Sequence, residues 1–489
     1  MTAPRTLPDP TDLDALRTRL SAMGPSTGPA TGAAGLPTRH PIGLGAVHIG
    51  PTALARLVDT VAAIRRDGPV VLVVDETPMR RGAASLKAGV LADLSARFET
   101  REAIIRATGV ELHADADALA QADAFMPGAG CVVVVGSGTI TDIAKDATMR
   151  AGNIPLVVVQ TAVSVNAFSD DMAVLLRDGV KRTVPSRWPN VLLVDLAILA
   201  DAPVAMNRAG FGELCSMFTA PADWYLANAV GMDDSYDPAV VALFRDGADG
   251  LLDGAARIRA NDPAMLTELA ARMTLTGIAM GVSGRTAPLS GTEHLLSHLL
   301  DMAAGAAGRP LAFHGAQVGV ASVLAATIWH DTLERLDPGT LRTDAAFPDP
   351  SVIHGRVRAA FDPIDASGRM ADECWTDVGQ KLARWHAGRD RIEAFATRWD
   401  RHRAALAGLV AAPAVLREAL TNAGAAVTIA ELDPPTTVDT ASWALRALPF
   451  MRDRFTVADL RLFCGTWDEG RVGDLLARSG IVGSGEKVR

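Results

Sequence analysis

The sequence predicts two successive architectures, an α/β N-terminal domain around a mainly parallel sheet and then an all-helical C-terminal domain. Three observations lead there. Runs such as Pro69–Asp75 (PVVLVVD) and Cys131–Val135 (CVVVV) are apolar without alternation, the mark of strands covered on both faces. Helical stretches separate these runs, as parallel crossovers require. After about Asp201 strand-like runs nearly vanish and helical stretches follow one another to about Cys464.

Taken in order, residues 1–40 are rich in Pro, Gly, Thr and Ala and read as a flexible leader, with one short helix near Asp12–Met23. The α/β domain is expected over 41–204. Val47–Gly50 is a strand, Pro51–Arg66 helical, Pro69–Asp75 a strand and Ala84–Phe98 a helix. Glu111–Ala114 is expected as a strand, Asp117–Ala124 as a helix, Cys131–Val135 as a strand and Ile140–Ala151 as a helix, with Ile154–Val159 and Val191–Val194 as further strands. The helical domain is expected over 205–470, with helices at Ala205–Ala229, Asp237–Ala260, Pro263–Met280, Thr292–Ala304, Gly315–Trp329, Glu373–Ala407 and Pro413–Asn422, and 471–489 as a tail.

At 489 residues the chain is too long for one ordinary domain, and its 49% apolar content suffices for substantial cores. A net charge of −9 without a basic cluster argues against nucleic acid as a partner. The four cysteines lie far apart with no CxxC pair and read as reduced, buried residues. The N-terminus lacks the apolar core of a signal peptide and no apolar run reaches membrane-spanning length, so a cytoplasmic location is expected.

Two places carry chemistry. Gly136, Ser137, Gly138 and Thr139 join a buried strand to a helix start, where free backbone N–H groups and the helix dipole suit a phosphate. The spacing is not GxGxxG, and a tight strand–helix turn accounts for the glycines equally well. Asp142 follows on the helix, and Thr161 and Ser164 offer hydroxyls at a second strand end. The other place is a histidine cluster. Three of ten histidines fall within 21 positions: His294 and His298, spaced to share one helix face, and His314. Zinc, iron or nickel accepts imidazole nitrogen with carboxylate oxygen, so two histidines need an acid. Glu213, in Ala209-Gly210-Phe211-Gly212-Glu213, is one candidate, and Glu293 and Asp301 are rivals on the His294 helix.

These segments resemble a family. Gly136-Ser137-Gly138-Thr139-Ile140-Thr141-Asp142-Ile143-Ala144-Lys145 is similar to the GGGSxxDxAK segment of sn-glycerol-1-phosphate dehydrogenases, relatives of iron-containing alcohol dehydrogenases and 3-dehydroquinate synthases. Ser290–His294 resembles that family's SGxEH, His314–Val320 its HGxQVGVG, Ala209–Glu213 with Ala222-Asp223-Trp224 its AGFGD…ADW, and Arg452–Val457 its IRxRYTVL. The resemblance implies a Rossmann-like nucleotide domain, a helical metal-binding domain and an active site in the cleft between them. It implies Glu213, His294 and His314 as metal ligands, with zinc first and iron or nickel as alternates. It implies NAD or NADP against Gly136–Thr139, with Asp142, Thr161 and Ser164 nearby. The implied reaction reduces dihydroxyacetone phosphate, or a related ketone or polyol compound, with His298 relaying a proton. A homodimer is expected, and a dehydroquinate-synthase-like cyclase using NAD transiently is the alternative. Four positions depart from the family pattern. Glu213 stands for Asp, Asn166, beside the substrate in this reading, stands for the Asp of S-x-D-G, Met217 for Lys, and Ala287 for Arg.

Overall fold

A computed structural model of the protein describes residues 6–24, 39–109, 111–177 and 180–482. Residues 25–38 of the expected leader and 483–489 of the expected tail lie outside the described residues. The leader's helix forms where expected, as α1 (Leu13–Ala22).

Strands β1 (Ala46–Gly50), β2 (Val70–Asp75), β3 (Thr100–Ile105), β4 (Cys131–Gly136) and β5 (Leu156–Gln160) are followed by a hairpin of β6 (Met172–Arg177) and β7 (Val180–Pro185), then by β8 (Val191–Asp195). Six of them make one sheet in the order β1-β8-β5-β4-β2-β3, every pair parallel. Val70, Leu72, Val74, Val133, Val135, Val157 and Val159 share one apolar cluster on one face, and the intervening Val71, Val73, Val132, Val134 and Val158 are fully buried on the other, which together explain the unbroken valine runs of the central strands. The chain leaves β2 toward β3 on one side and leaves β4 toward β5 on the other. Strand connections therefore reverse between the adjacent strands β2 and β4, and the crevice beyond their carboxyl ends is where such sheets bind ligands. Helix α2 (Gly138–Arg150) starts there.

Two strand expectations are corrected. Glu111–Ala114 forms no strand; the third strand is Thr100–Ile105, an edge strand with exposed Arg101 and Glu102, and those charges hide its periodicity. The β6–β7 hairpin was not anticipated.

The chain divides into two units, one holding His40–Phe211 with Leu243–Gly284, the other Gly212–Ala242 with the described chain from Arg285 onward. The boundary expected at 204/205 is thus corrected. Leu243–Gly284 belongs with the sheet because α5 (Pro263–Ser283), buried along nearly its whole length, packs on β1. Gly277 fits against Ser169 and the Asn166 carbonyl, where a Cβ would lie 2.2 and 2.7 Å away. The expected tail is corrected too, because helix Glu469–Ser479 buries Val472, Leu475 and Leu476.

The second unit is helical. Its site-bearing elements are the end of α3 (Val204–Leu214), α4 (Ala220–Ala229), α6 (Thr292–Ala306), α7 (His314–Arg335) and α8 (Val457–Phe463). The helix expected over Ala205–Ala229 is interrupted by a 3-10 turn, Cys215–Phe218, with Pro221 restarting α4. No helix among the described residues is long and apolar enough to cross a membrane. All four cysteines are free and buried, as expected.

Helix α4 is fixed by Tyr225, whose hydroxyl lies 3.1 Å from His402 Nδ1. His402 is buried, with its ring centroid 4.7 Å from that of Phe395. Burial first, then the nearby Arg401 and Arg398 charges, push the imidazole down to about 4. A histidine whose folded pKa is depressed stabilises the fold fully above its unfolded value, and that contribution is lost as pH falls from about 6.5 through about 4. Thermal melting from pH 7 to 4 is expected to show a loss of at most about 3 kcal/mol from this group, and His402→Asn should flatten that part of the slope.

Candidate functional site

Helix α6 opens at Thr292, so His294 lies in its first turn and His298 one turn further along the same face. Helix α7 opens at His314 itself, and the last turn of α3 carries Glu213. The structure brings these together. His294 Nε2 lies 3.2 Å from Glu213 Oε1, and His314 Nε2 lies 3.7 Å from Glu213 Oε2. One ligand-capable atom from each residue falls within 4.8 Å of the others. An ion with bonds of about 2.0–2.2 Å needs its ligands roughly 3–4 Å apart, which small side-chain rotations reach here. Glu213 is 2% exposed, and its Oε2 has no hydrogen-bond partner among the described residues. An orphaned carboxylate oxygen facing imidazoles suits a cation.

This convergence depends on two glycines. A Cβ on Gly212 would lie 2.3 Å from the Gly315 carbonyl oxygen and 3.3 Å from Gly319 Cα. Only bare backbone lets α3 approach α7 closely enough to set Glu213 beside His314. The electrostatics follow the packing. Burial alone would raise the Glu213 carboxyl, but the His294 and His314 charges and the His294 hydrogen bond bring it below its usual range. Burial would lower His294, yet Glu213 and Glu293 hold it up at about 9.

The rival acids lie elsewhere. Glu293 faces the opposite edge of the His294 ring, its Oε1 3.1 Å from Nδ1. Asp301, two turns along α6, is not part of the cluster of potential ligands. His298 stacks on His314 with ring centroids 5.4 Å apart and planes inclined at 28°. Sequence reasoning quoted Asp223 and Arg454 within family segments but missed how they hold this region. Asp223 accepts from Thr292 N–H at 2.7 Å and from Val457 N–H at 2.9 Å, so one carboxylate caps both α6 and α8. Arg454 donates to the Ser290 carbonyl and hydroxyl and to the Thr286 hydroxyl, on either side of Ala287, where a cation had seemed lost.

In the α/β unit, Gly136 ends β4, and Ser137 precedes the first turn of α2 without a side-chain cap. Thr161–Ser164 follow the neighbouring strand β5, as the shared register Gly136↔Gln160 requires. Thr161 and Ser164 are largely buried. Packing also explains the glycines, since a Cβ would meet Ile140 Cγ2 at 2.1 Å from Gly136 and Val165 Cγ2 at 2.7 Å from Gly138. Asp142 is turned into the interior. Its carboxylate accepts from Val174 N–H at 3.0 Å and lies 3.5 Å from Lys145 Nζ. Lys145 in turn binds Asp170 at 2.5 Å and the Ala167 carbonyl at 2.9 Å, fixing the segment that follows Asn166. Asn166 is half-buried, and its carbonyl accepts from Ser169 N–H.

Residues 48–203 match the iron-containing alcohol dehydrogenase family. Glycerol-1-phosphate dehydrogenase (NAD(P)+) of Bacillus licheniformis is 30% identical over 296 residues, covering 60% of this chain and 72% of that protein. The same enzyme of Halalkalibacterium halodurans is 34% identical over 197 residues, covering 40% of this chain and 49% of that protein, so there the match spans about half the relative's length. A probable glycerol dehydrogenase from Sinorhizobium meliloti superposes with a TM-score of 0.55 at 16% identity, over 90% of this chain and 98% of that one. An iron-containing alcohol dehydrogenase from Corynebacterium glutamicum gives 0.53 at 15% identity, over 93% and 99%. Those two solved structures share the two-part fold, a parallel sheet followed by helices. The chain belongs to the glycerol-1-phosphate dehydrogenase family.

Because Gly212 sets the approach of α3 to α7, Gly212→Ala is expected to lower stability by about 1–3 kcal/mol and to weaken uptake of a divalent ion. Chemical denaturation and metal analysis of the purified variant check both effects.

Proposed function

We propose that the protein is a metal-dependent, NAD(P)-linked oxidoreductase that reduces a ketone to an alcohol, its substrate being dihydroxyacetone phosphate or a related ketone or polyol compound. The observation that carries this reading is the meeting of Glu213, His294 and His314 in a chain of the glycerol-1-phosphate dehydrogenase family. The relatives are glycerol-1-phosphate dehydrogenases, which favours a dehydrogenase over a cyclase.

In this reading Glu213, His294 and His314 hold a divalent ion, zinc before iron or nickel. Gly136, Ser137, Gly138 and Thr139 receive the phosphates of NADH or NADPH through backbone N–H groups at the start of α2, with Thr161 and Ser164 beside them on the next strand. When bound, the ion supplies Lewis acidity toward the ketone oxygen and the nicotinamide supplies the hydride. His298, stacked on His314, delivers the proton that the new alcohol oxygen needs. Asn166 offers a neutral amide where an acid would be expected, which suits hydrogen bonding to substrate hydroxyls without adding charge. Asp142, with its carboxylate held by Lys145 and the Val174 amide, supports the nucleotide edge from beneath.

Metal analysis of the purified chain, combined with NAD(P)H oxidation against a panel of phosphorylated and plain ketones, tests the proposal. The expected result is a stoichiometric divalent ion and net oxidation with at least one ketone. Glu213→Ala and His314→Ala should each lose most of the metal and reduce turnover by roughly 100-fold or more. A metal-loaded chain that oxidises neither NADH nor NADPH with any ketone would overturn the dehydrogenase reading.

A further inference from the structure

The two imidazoles of the cluster are held from behind by different partners, and both partners engage the Nδ1 edge. Glu293 Oε1 lies 3.1 Å from His294 Nδ1. That carboxylate is 0% exposed and is itself fixed, Oε1 accepting from Gly291 N–H at 2.7 Å and Oε2 from the Thr219 hydroxyl at 2.8 Å. A carboxylate with these contacts accepts from His294 Nδ1–H, which commits that nitrogen and leaves Nε2, on the Glu213 side of the ring, as the nitrogen that an ion would take. His314 is held through a hydroxyl instead. Ser297 Oγ lies 2.9 Å from His314 Nδ1 and 2.6 Å from Gln317 Oε1. A serine has one proton to give. Donated to the Gln317 carbonyl oxygen, it leaves the hydroxyl to accept from His314 Nδ1–H, which again leaves Nε2 facing Glu213. Ser297 sits on α6 one turn beyond Glu293, and Gln317 sits on α7 one turn beyond His314, so both chains of contacts lie on the two helices that carry the imidazoles.

We propose that Glu293, Ser297 and Gln317 are positioning residues that fix both imidazoles in the Nδ1–H tautomer, presenting two Nε2 lone pairs and the Glu213 carboxylate to one divalent ion. The inference rests on the metal reading above and adds to it a division of labour. His294 is backed by a full negative charge, which makes it the stronger donor to the ion. His314 is backed by a neutral Ser–Gln relay, which orients the ring without adding charge. Partners of this kind commonly govern metal affinity and ligand direction while touching neither ion nor substrate.

The test uses the full chain, stripped of metal and titrated with cobalt(II) in competition with a chromophoric chelator, with the cobalt absorption spectrum recorded alongside. Glu293→Gln is expected to weaken cobalt binding by roughly 10–100-fold and to alter the spectrum, and Ser297→Ala to weaken it by about tenfold. Ser297→Thr, which keeps the hydroxyl, should restore binding to within about threefold of the unsubstituted chain. If Glu293→Gln does not fold, the alanine and threonine variants at Ser297 decide the matter alone. Folded Glu293→Gln and Ser297→Ala proteins that bind cobalt as tightly as the unsubstituted chain, with the same spectrum, would overturn the inference while leaving the metal site standing. An unsubstituted chain that takes up no cobalt would overturn the metal reading itself, and this inference with it.

Discussion

Placing an ionised carboxylate among close-packed helices is costly unless something answers its charge. Glu213 is the point at which the helical unit meets that cost. Two imidazoles converge on it, held by α6 and α7, and a pair of glycines brings the backbones near enough for the side chains to meet. Much of the surrounding architecture serves this arrangement. Asp223 holds the first turn of α6, Arg454 holds the turn before it, and Glu293 and Ser297 hold the rings. Remove the need to place one carboxylate beside two imidazoles, and these buried polar contacts lose their common purpose.

The α/β unit solves a different problem. Its central strands are apolar on both faces, so they can be arranged only in the middle of a covered parallel sheet, and the order that results reverses direction between β2 and β4. The glycine turn therefore lies at the carboxyl end of a central strand, beside the point where strand connections reverse. The glycines there are required by packing against Ile140 and Val165, so the fold alone accounts for them.

Packing demands of this kind explain how far the sequence could be read. Central strands announce themselves because burial on two faces leaves no polar residue, whereas the edge strand Thr100–Ile105 carries Arg101 and Glu102 toward solvent and loses that signal. The meeting of Glu213, His294 and His314 was legible because few residue types bind metal ions and these three stand at helix ends. Glu293 was read as a rival ligand because its residue type and spacing suited the role equally well; only the coordinates show it on the far side of the ring. Position alone put Asp142 near the nucleotide turn; that a buried lysine one turn later lies 3.5 Å from its carboxylate was not legible. The long helix Pro263–Ser283 was assigned to the helical half because helicity says nothing about what a helix packs against; residues such as Gly277, which accept a neighbour's backbone, carry that information.

The double cap formed by Asp223 ties together parts of the chain that are remote in sequence. Through Val457 and Thr292, one side chain makes the closing segment of the protein a structural support for a histidine more than a hundred residues earlier. The late helices therefore act as a keystone for the Glu213–His294–His314 cluster, and shortening or fusing the protein upstream of Val457 would disturb His294 even though that segment contributes none of the three side chains.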